Sequence, residues 1–142
     1  MKQKDPNAPY QLHGVNISYF TGKLEAYMRY KDIPHELVDG YDLGKIFFHT
    51  GIKKMPAVET ARGQWLYDTT PTIQWFETVY PDTPITPKNK ALAFISLLLE
   101  DYGDEWLWRP AMWWRWMPAI SRRALGTKIM KGALGAPALW WY

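Results

Sequence analysis

Between Tyr10 and Tyr80 the apolar positions switch between the period of two expected of strands and the period near 3.6 expected of helices. Tyr10 to Val15 alternates and predicts a short strand. Ser18 stands where a helix N-cap belongs. Phe20, Leu24, Tyr27 and Met28 then share one face of a helix running to about Lys31. Asp32-Ile33-Pro34 stops that helix, and His35 to Val38 makes a second strand. Gly40 to Gly51 is mixed and predicts a short, irregular helix. Ala57 to Thr60 and Gln64 to Tyr67 read as strands joined by Ala61-Arg62-Gly63, a connection of hairpin length. Ile73, Phe76 and Tyr80 repeat with helical spacing after Asp68.

Pro81, Pro84 and Pro87 then interrupt the pattern, so residues 82–87 are expected to link a first domain, 1–81, to a second, 88–142. Thr86-Pro87 reads as an N-cap and first-turn pair. Leu92, Ile95, Leu99, Tyr102 and Trp106 step by three and four, which predicts a long amphipathic helix. Pro110 and Pro118 read as breakers, with another helix starting near Ala119. The element order is therefore β-α-β-α-β-β-α followed by helices alone. A β-α-β unit demands a parallel pair, and a hairpin adds antiparallel strands to the same sheet. The expected fold is an α/β, thioredoxin-like N-terminal domain with a mixed four-stranded sheet, followed by a partial all-α domain.

Composition narrows the chemistry. The chain has 142 residues, 47% apolar and 16% aromatic, which suits a folded domain with a real core. It has no cysteine, which excludes disulfides, thiolate metal sites and any mechanism using a protein thiol. The net charge of +3 is unevenly placed. Residues 106–142 carry six basic and no acidic side chains, and seven of the nine tryptophans, whereas residues 1–105 carry eleven basic and fourteen acidic ones. Because residues 1–105, most of the chain, are slightly acidic on balance, a uniform nucleic-acid-binding surface is not expected. Met1 to Pro9 lacks the apolar core of a secretory leader, and the run Ala91 to Leu99 is too short to span a bilayer. The expectation is a soluble, cytoplasmic protein. The basic, Trp-rich end suits a membrane surface in composition, but Pro110, Pro118 and Pro137 interrupt any single amphipathic helix there.

Three local features bear on a ligand site. Ser18, at a strand-to-helix turn, is either a plain N-cap or a hydroxyl beside the positive end of a helix, where N–H groups favour an anion. Met55-Pro56 leads into a strand. Pro56 is either an ordinary edge proline or, as the thioredoxin-like plan suggests, a cis proline that turns the Met55 backbone outward to a peptide-like ligand. Asp68-Thr69-Thr70 opens a helix and is either a cap or a grip for an amino-acid head group, with Thr69 on the carboxylate and Asp68 on the ammonium. Glu100, Asp101, Asp104 and Glu105 lie at helical spacing, but no histidine is near in sequence, so a solvated face rather than a metal site is expected. His13 reads as a packed, satisfied strand histidine, and Trp106, Trp108, Trp113, Trp114 and Trp116 as lining a core or interdomain face.

The segments SYFTGKLEAYMRYKDIPHELV, KKMPAV and YDTTPTIQWFE resemble the glutathione-binding domain of the cytosolic glutathione S-transferases over roughly Tyr10 to Pro81. LLLEDYGDEWLWRP resembles the start of the helical domain in a bacterial branch of that family. The resemblance implies a serine-type enzyme in which Ser18 hydrogen-bonds the glutathione sulfur. It further implies that Met55, before the cis Pro56, pairs its backbone with the cysteinyl part and that Lys54 reaches the glycyl carboxylate. Asp68 and Thr69 would grip the γ-glutamyl head, with threonine standing where the family pattern has serine. Tyr19 and Tyr10 are the alternative hydroxyls of a tyrosine-type site.

The function so implied is transfer of glutathione, as cosubstrate and without metal, to a small electrophile, in a cytoplasmic homodimer active in detoxification. The family's members that react through mixed disulfides use a cysteine, which this chain lacks. Only about 55 residues follow Pro87, so the chain reads as truncated in its helical domain. The rival reading is a non-catalytic interaction module on the same fold.

Overall fold

The structure is a computed structural model that describes residues 5–40 and 42–134. The chain divides into two compact units at the Thr83–Pro84 junction. In the first unit β1 (Tyr10–Gly14), α1 (Tyr19–Tyr30), β2 (His35–Asp39), α2 (Leu43–Thr50), β3 (Ala57–Glu59), β4 (Trp65–Tyr67) and α3 (Thr69–Val79) follow in order. The strands form one mixed sheet in the order β2-β1-β3-β4. β1 runs parallel to β2, with Leu12 opposite Leu37, and antiparallel to β3, with Leu12 opposite Val58. The thioredoxin-like plan expected from the sequence is the observed one.

Strand alternation divides the side chains between two faces. Tyr10, Leu12 and Val58 point to one face and pack with Leu24, Tyr27 and Met28 of α1 and Ile73 and Phe76 of α3. Tyr10 meets Phe76 edge-on, with ring centroids 5.0 Å apart. Each such fully buried side chain contributes about 1.5–3 kcal/mol. The opposite face carries His13, Glu59 and Trp65 and is covered by α2, whose Lys45 and His49 reach Glu59 and Trp65.

Local chemistry explains the element ends. Ile33 N–H bonds back to Met28 O after α1, and Asp32 turns the chain at φ 52°. The β3–β4 connection closes with Thr60 N–H to Gln64 O at 2.9 Å, and Gly63 takes φ 79°, which a side chain would resist. Lys31 is buried at the end of α1 and donates to the carbonyls of Asp82 and Thr83, fastening the stretch after α3.

The second unit is helical: α4 (Lys90–Asp101), a π-helical turn (Tyr102–Leu107), α5 (Trp108–Trp116) and α6 (Ala119–Leu134). Two expectations are corrected here. The N-cap of α4 is Asn89 rather than Thr86, because the Asn89 side-chain oxygen accepts the otherwise unpaired N–H groups of Ala91 and Leu92. Pro110 does not break the helix. It lies in the first turn of α5, just after the widened π turn, where a missing N–H and a bulky ring are accommodated. Trp106, Trp108, Trp113 and Trp114 are exposed and Trp116 is half-buried. No described helix is long and apolar enough to cross a membrane.

Candidate functional site

Strand register brings three separate segments to one end of the sheet. His13 pairs with Ala57, and Ala57 with Tyr67. The exit of β1, the entry to β3 and the exit of β4 are therefore neighbours, about 5 Å apart strand to strand. The chain leaves β1 towards Ser18, enters β3 from Met55 and Pro56, and leaves β4 into Asp68 and Thr69. The N-termini of α1 and α3 open on this same end, a favourable setting for an anion.

The loop carrying Ser18 is held from below. Asn16 donates from its backbone and its side chain to the Asp39 carboxylate, at 3.2 and 3.0 Å, and Ser18 N–H bonds Val15 O at 2.9 Å. Ser18 is the N-cap of α1, so the capping role considered for it is real. Its Oγ accepts the Thr21 N–H at a long 3.4 Å. A hydroxyl that accepts still has its own proton to give. The cap and a donor role towards a bound anion are thus compatible in one side chain.

The Met55–Pro56 peptide is cis, and Pro56 is buried. Lys54 is exposed in the segment between α2 and β3. Thr69 is buried as the first residue of α3, while Asp68 before it is exposed. Asp68 occupies the cap position, yet its carboxylate makes no capping bond, which leaves the acid unspent on the helix. Its backbone sits at φ 65°, ψ 130°, a region that only glycine enters freely. Asp68→Gly is therefore expected to raise stability by about 1 kcal/mol, the relieved strain exceeding the extra freedom of the unfolded chain. A urea midpoint that stays level or falls would remove the strain argument.

The tyrosine alternatives separate. Tyr10 lies in the core at the start of β1, the opposite end of the strand from this site, and its hydroxyl donates to Asp5 together with that of Tyr80. Burial first, and then the bond to Asp5, push its phenol far above the ordinary value, so Tyr10 is a structural donor. Tyr19 is the exposed first residue of α1.

A polar cluster beneath α2 escaped sequence reasoning. His13 Nε2 and Lys45 Nζ both contact Glu59 Oε2, at 3.1 and 3.0 Å, and the His13 and His49 rings each stack on Trp65. His13 is buried and bonded, as a packed histidine should be. The cluster draws on four elements, β1, α2, β3 and β4, and only the strand register, absent from the pattern of the chain, aligns them. Among the described residues no group of three or more His, Asp or Glu side chains is placed to hold a metal.

A thioredoxin-like unit followed by a helical one matches the fold of solved glutathione S-transferases. A glutathione S-transferase from Methylobacterium radiotolerans, in complex with glutathione sulfonate, is similar at 25% identity and a TM-score of 0.56, over 60% of this chain and 42% of that one. One from Methylobacillus flagellatus with glutathione bound is similar at 19% identity and a TM-score of 0.60, over 68% of this chain and 49% of that one. A transferase homologue from Sulfitobacter with bound glutathione is similar at 9% identity and a TM-score of 0.63, over 89% and 65%. The chain thus spans less than half the length of the first two. No protein-family model and no curated protein matches the sequence.

Proposed function

We propose that this chain binds glutathione at the sheet end described above and holds its sulfur as a thiolate for attack on a small electrophile. What supports the reading is that the exit of β1, the entry to β3 and the exit of β4 share one sheet end, from which the segments carrying Ser18, Met55 and Asp68–Thr69 depart, with the Ser18 proton and the Asp68 carboxylate unspent on capping. Glutathione presents a thiol, two carboxylates and an ammonium. In this reading Ser18 Oγ–H donates to the sulfur, the Met55 backbone pairs with the cysteinyl amide, and Lys54 faces the glycyl carboxylate. Thr69 holds the γ-glutamyl carboxylate at the start of α3, and Asp68 takes the ammonium.

The chemistry follows from charge. A free thiol with a pKa of about 8.5 is mostly protonated at neutral pH. A charge-assisted bond from Ser18 contributes about 1.5–3 kcal/mol to the thiolate, which lowers that pKa by about one to two units. The sulfur then forms a bond to the electrophilic atom as the leaving group departs or the π bond shifts, and Ser18 keeps its proton throughout. Because the chain lacks cysteine, the reacting thiol belongs to glutathione. The serine-type assignment, the domain limits 1–81 and 88–142, a homodimeric state and a detoxifying role belong to the same proposal.

The deciding experiment follows thiolate absorbance of glutathione against pH with the wild-type protein and with Ser18→Ala. The expected result is a thiol pKa about one to two units below the free value, returning towards it in the variant, with conjugation slowed about 10- to 100-fold. Bound glutathione with an unshifted thiol favours a non-catalytic interaction module; no binding overturns the site. Asp68→Gly adds a signature of opposite signs, with stability up and glutathione affinity down about tenfold.

A further inference from the structure

The attachment of α2 to the sheet is unusually polar. Ile46 is the buried residue of this helix, while Phe47 and Phe48 are exposed. What otherwise fastens α2 is Lys45, on Glu59 at 3.0 Å and over the Trp65 ring at 5.2 Å, and His49, stacked on Trp65 at 4.6 Å with the rings 2° from parallel. Glu59 Oε2 is at the same time the partner of His13 Nε2, at 3.1 Å. One carboxylate oxygen thus serves a buried imidazole from β1 and a half-exposed ammonium from α2.

We propose that Glu59 is a proton-responsive clamp: it fastens α2 to the sheet while His13 is neutral and loosens it when His13 takes up a proton. A neutral imidazole donor and one ammonium are balanced by one carboxylate. Protonated His13 puts a second cation on the same oxygen, no more than about 6 Å from the first, where like charges repel strongly in a partly buried setting. His13 is fixed in the central strand and cannot withdraw, whereas Lys45 can move into water.

The charged and titratable surroundings of His13 are Glu59 on β3, Lys45 on α2 and Asp42 capping it, Glu36 two register positions away on β2, and His49, which stacks on the same Trp65. Burial holds the His13 imidazole below its ordinary 6.5, and the Lys45 charge adds to this against the pull of Glu59. Burial alone would raise the Glu59 carboxyl, but the bonds from Lys45 and His13 outweigh it and keep the group below its ordinary 4.5. With the folded His13 value below the unfolded one, its contribution to stability is complete above pH 6.5 and is lost as pH falls through the lower folded value. The Glu59 contribution is complete above pH 4.5 and is lost as pH falls through its lower folded value. Helix α2 runs through Gly51 into the segment carrying Lys54 and Met55, so loosening it reaches the proposed glutathione site, but the clamp does not depend on that reading.

The test uses ligand-free protein and amide hydrogen exchange, corrected for intrinsic rates, between about pH 7.5 and about pH 5. Protection of α2 is expected to fall about tenfold relative to α1 and α3. In His13→Gln, which keeps an N–H donor for Glu59 but takes up no proton in this range, α2 protection should stay level. In His49→Gln the fall should persist. If His13→Gln does not fold, Lys45→Gln decides, because with the second cation removed α2 should already be weakly protected at neutral pH and show no further fall. The clamp is overturned if α2 tracks α1 and α3 in the wild type, or if the fall survives in His13→Gln or Lys45→Gln. It is also overturned if the fall disappears with His49. All of these readouts stand whether or not glutathione binds.

Discussion

Lys31→Met is expected to lower the unfolding free energy by about 3–5 kcal/mol, a large share of the roughly 5–15 kcal/mol that holds a domain folded. The Lys31 side chain is 1% exposed, and its ammonium makes three contacts: Glu77 Oε1 at 2.9 Å and the carbonyls of Asp82 and Thr83 at 2.8 and 3.2 Å. Methionine fills the volume but supplies none of these donors. Glu77 would keep the Tyr27 hydroxyl at 2.6 Å and lose the Lys31 ammonium, and two backbone carbonyls would lose their donor. The burden is greater because Thr83 is held at φ 55°, a conformation that needs outside support. In urea the midpoint should fall with the slope unchanged. Adding Glu77→Leu should recover part of the loss, since it removes the carboxylate whose charge Lys31 balanced. A loss below about 1 kcal/mol would mean that the network contributes little.

The second large effect is expected at Gly14, at the end of β1. A Cβ built there would lie 2.5 Å from Thr21 Oγ1 and 2.7 Å from Thr21 Cγ2. Thr21 is fully buried in the first turn of α1, short and β-branched, so it cannot swing aside as a long side chain would. Gly14→Ala must therefore push the start of α1, with Ser18, away from the sheet, at a cost of about 1–3 kcal/mol. The Thr21 hydroxyl also has no hydrogen-bond partner among the described residues, so Thr21→Ala removes a desolvated polar atom together with the obstruction. The double variant Gly14→Ala/Thr21→Ala should recover most of the loss, and a double-mutant cycle measures the coupling. Additive effects would show that the close approach of strand and helix does not set the position of α1.

Both sites show why sequence reading stopped where it did. Periodicity located β1, α1, α3 and the hairpin because burying one face of each element is what their patterns encode. It set Pro110 as a breaker because a missing N–H is legible locally, whereas the π turn that accommodates it is a property of the surrounding helix. It placed the α4 cap at Thr86, three residues before Asn89, because Thr-Pro and Asn are both sound cap signals and only the bonds formed decide between them. Lys31 carried no signal at all. A lysine at the end of a helix is ordinarily a solvated residue, and its burial depends on Glu77 and two carbonyls some fifty residues away.

By its own pattern the sequence determined the order of elements, the face each would bury, and the residue types available for chemistry: a serine at one helix start, an acid and a hydroxyl at another, a proline before a strand, and no thiol. The tertiary structure alone decided which of these meet. Registers pairing His13 with Ala57 and Ala57 with Tyr67 brought three distant segments to one sheet end, and a turn at φ 65° left Asp68 off its helix. The same registers gathered His13, Lys45, Glu59 and Trp65 on the opposite face. The physical reason is range. Hydrophobic period and capping act within a turn or a strand and are written in consecutive residues, whereas strand register, burial of charge and shared hydrogen bonds arise between elements and exist only once the chain has packed.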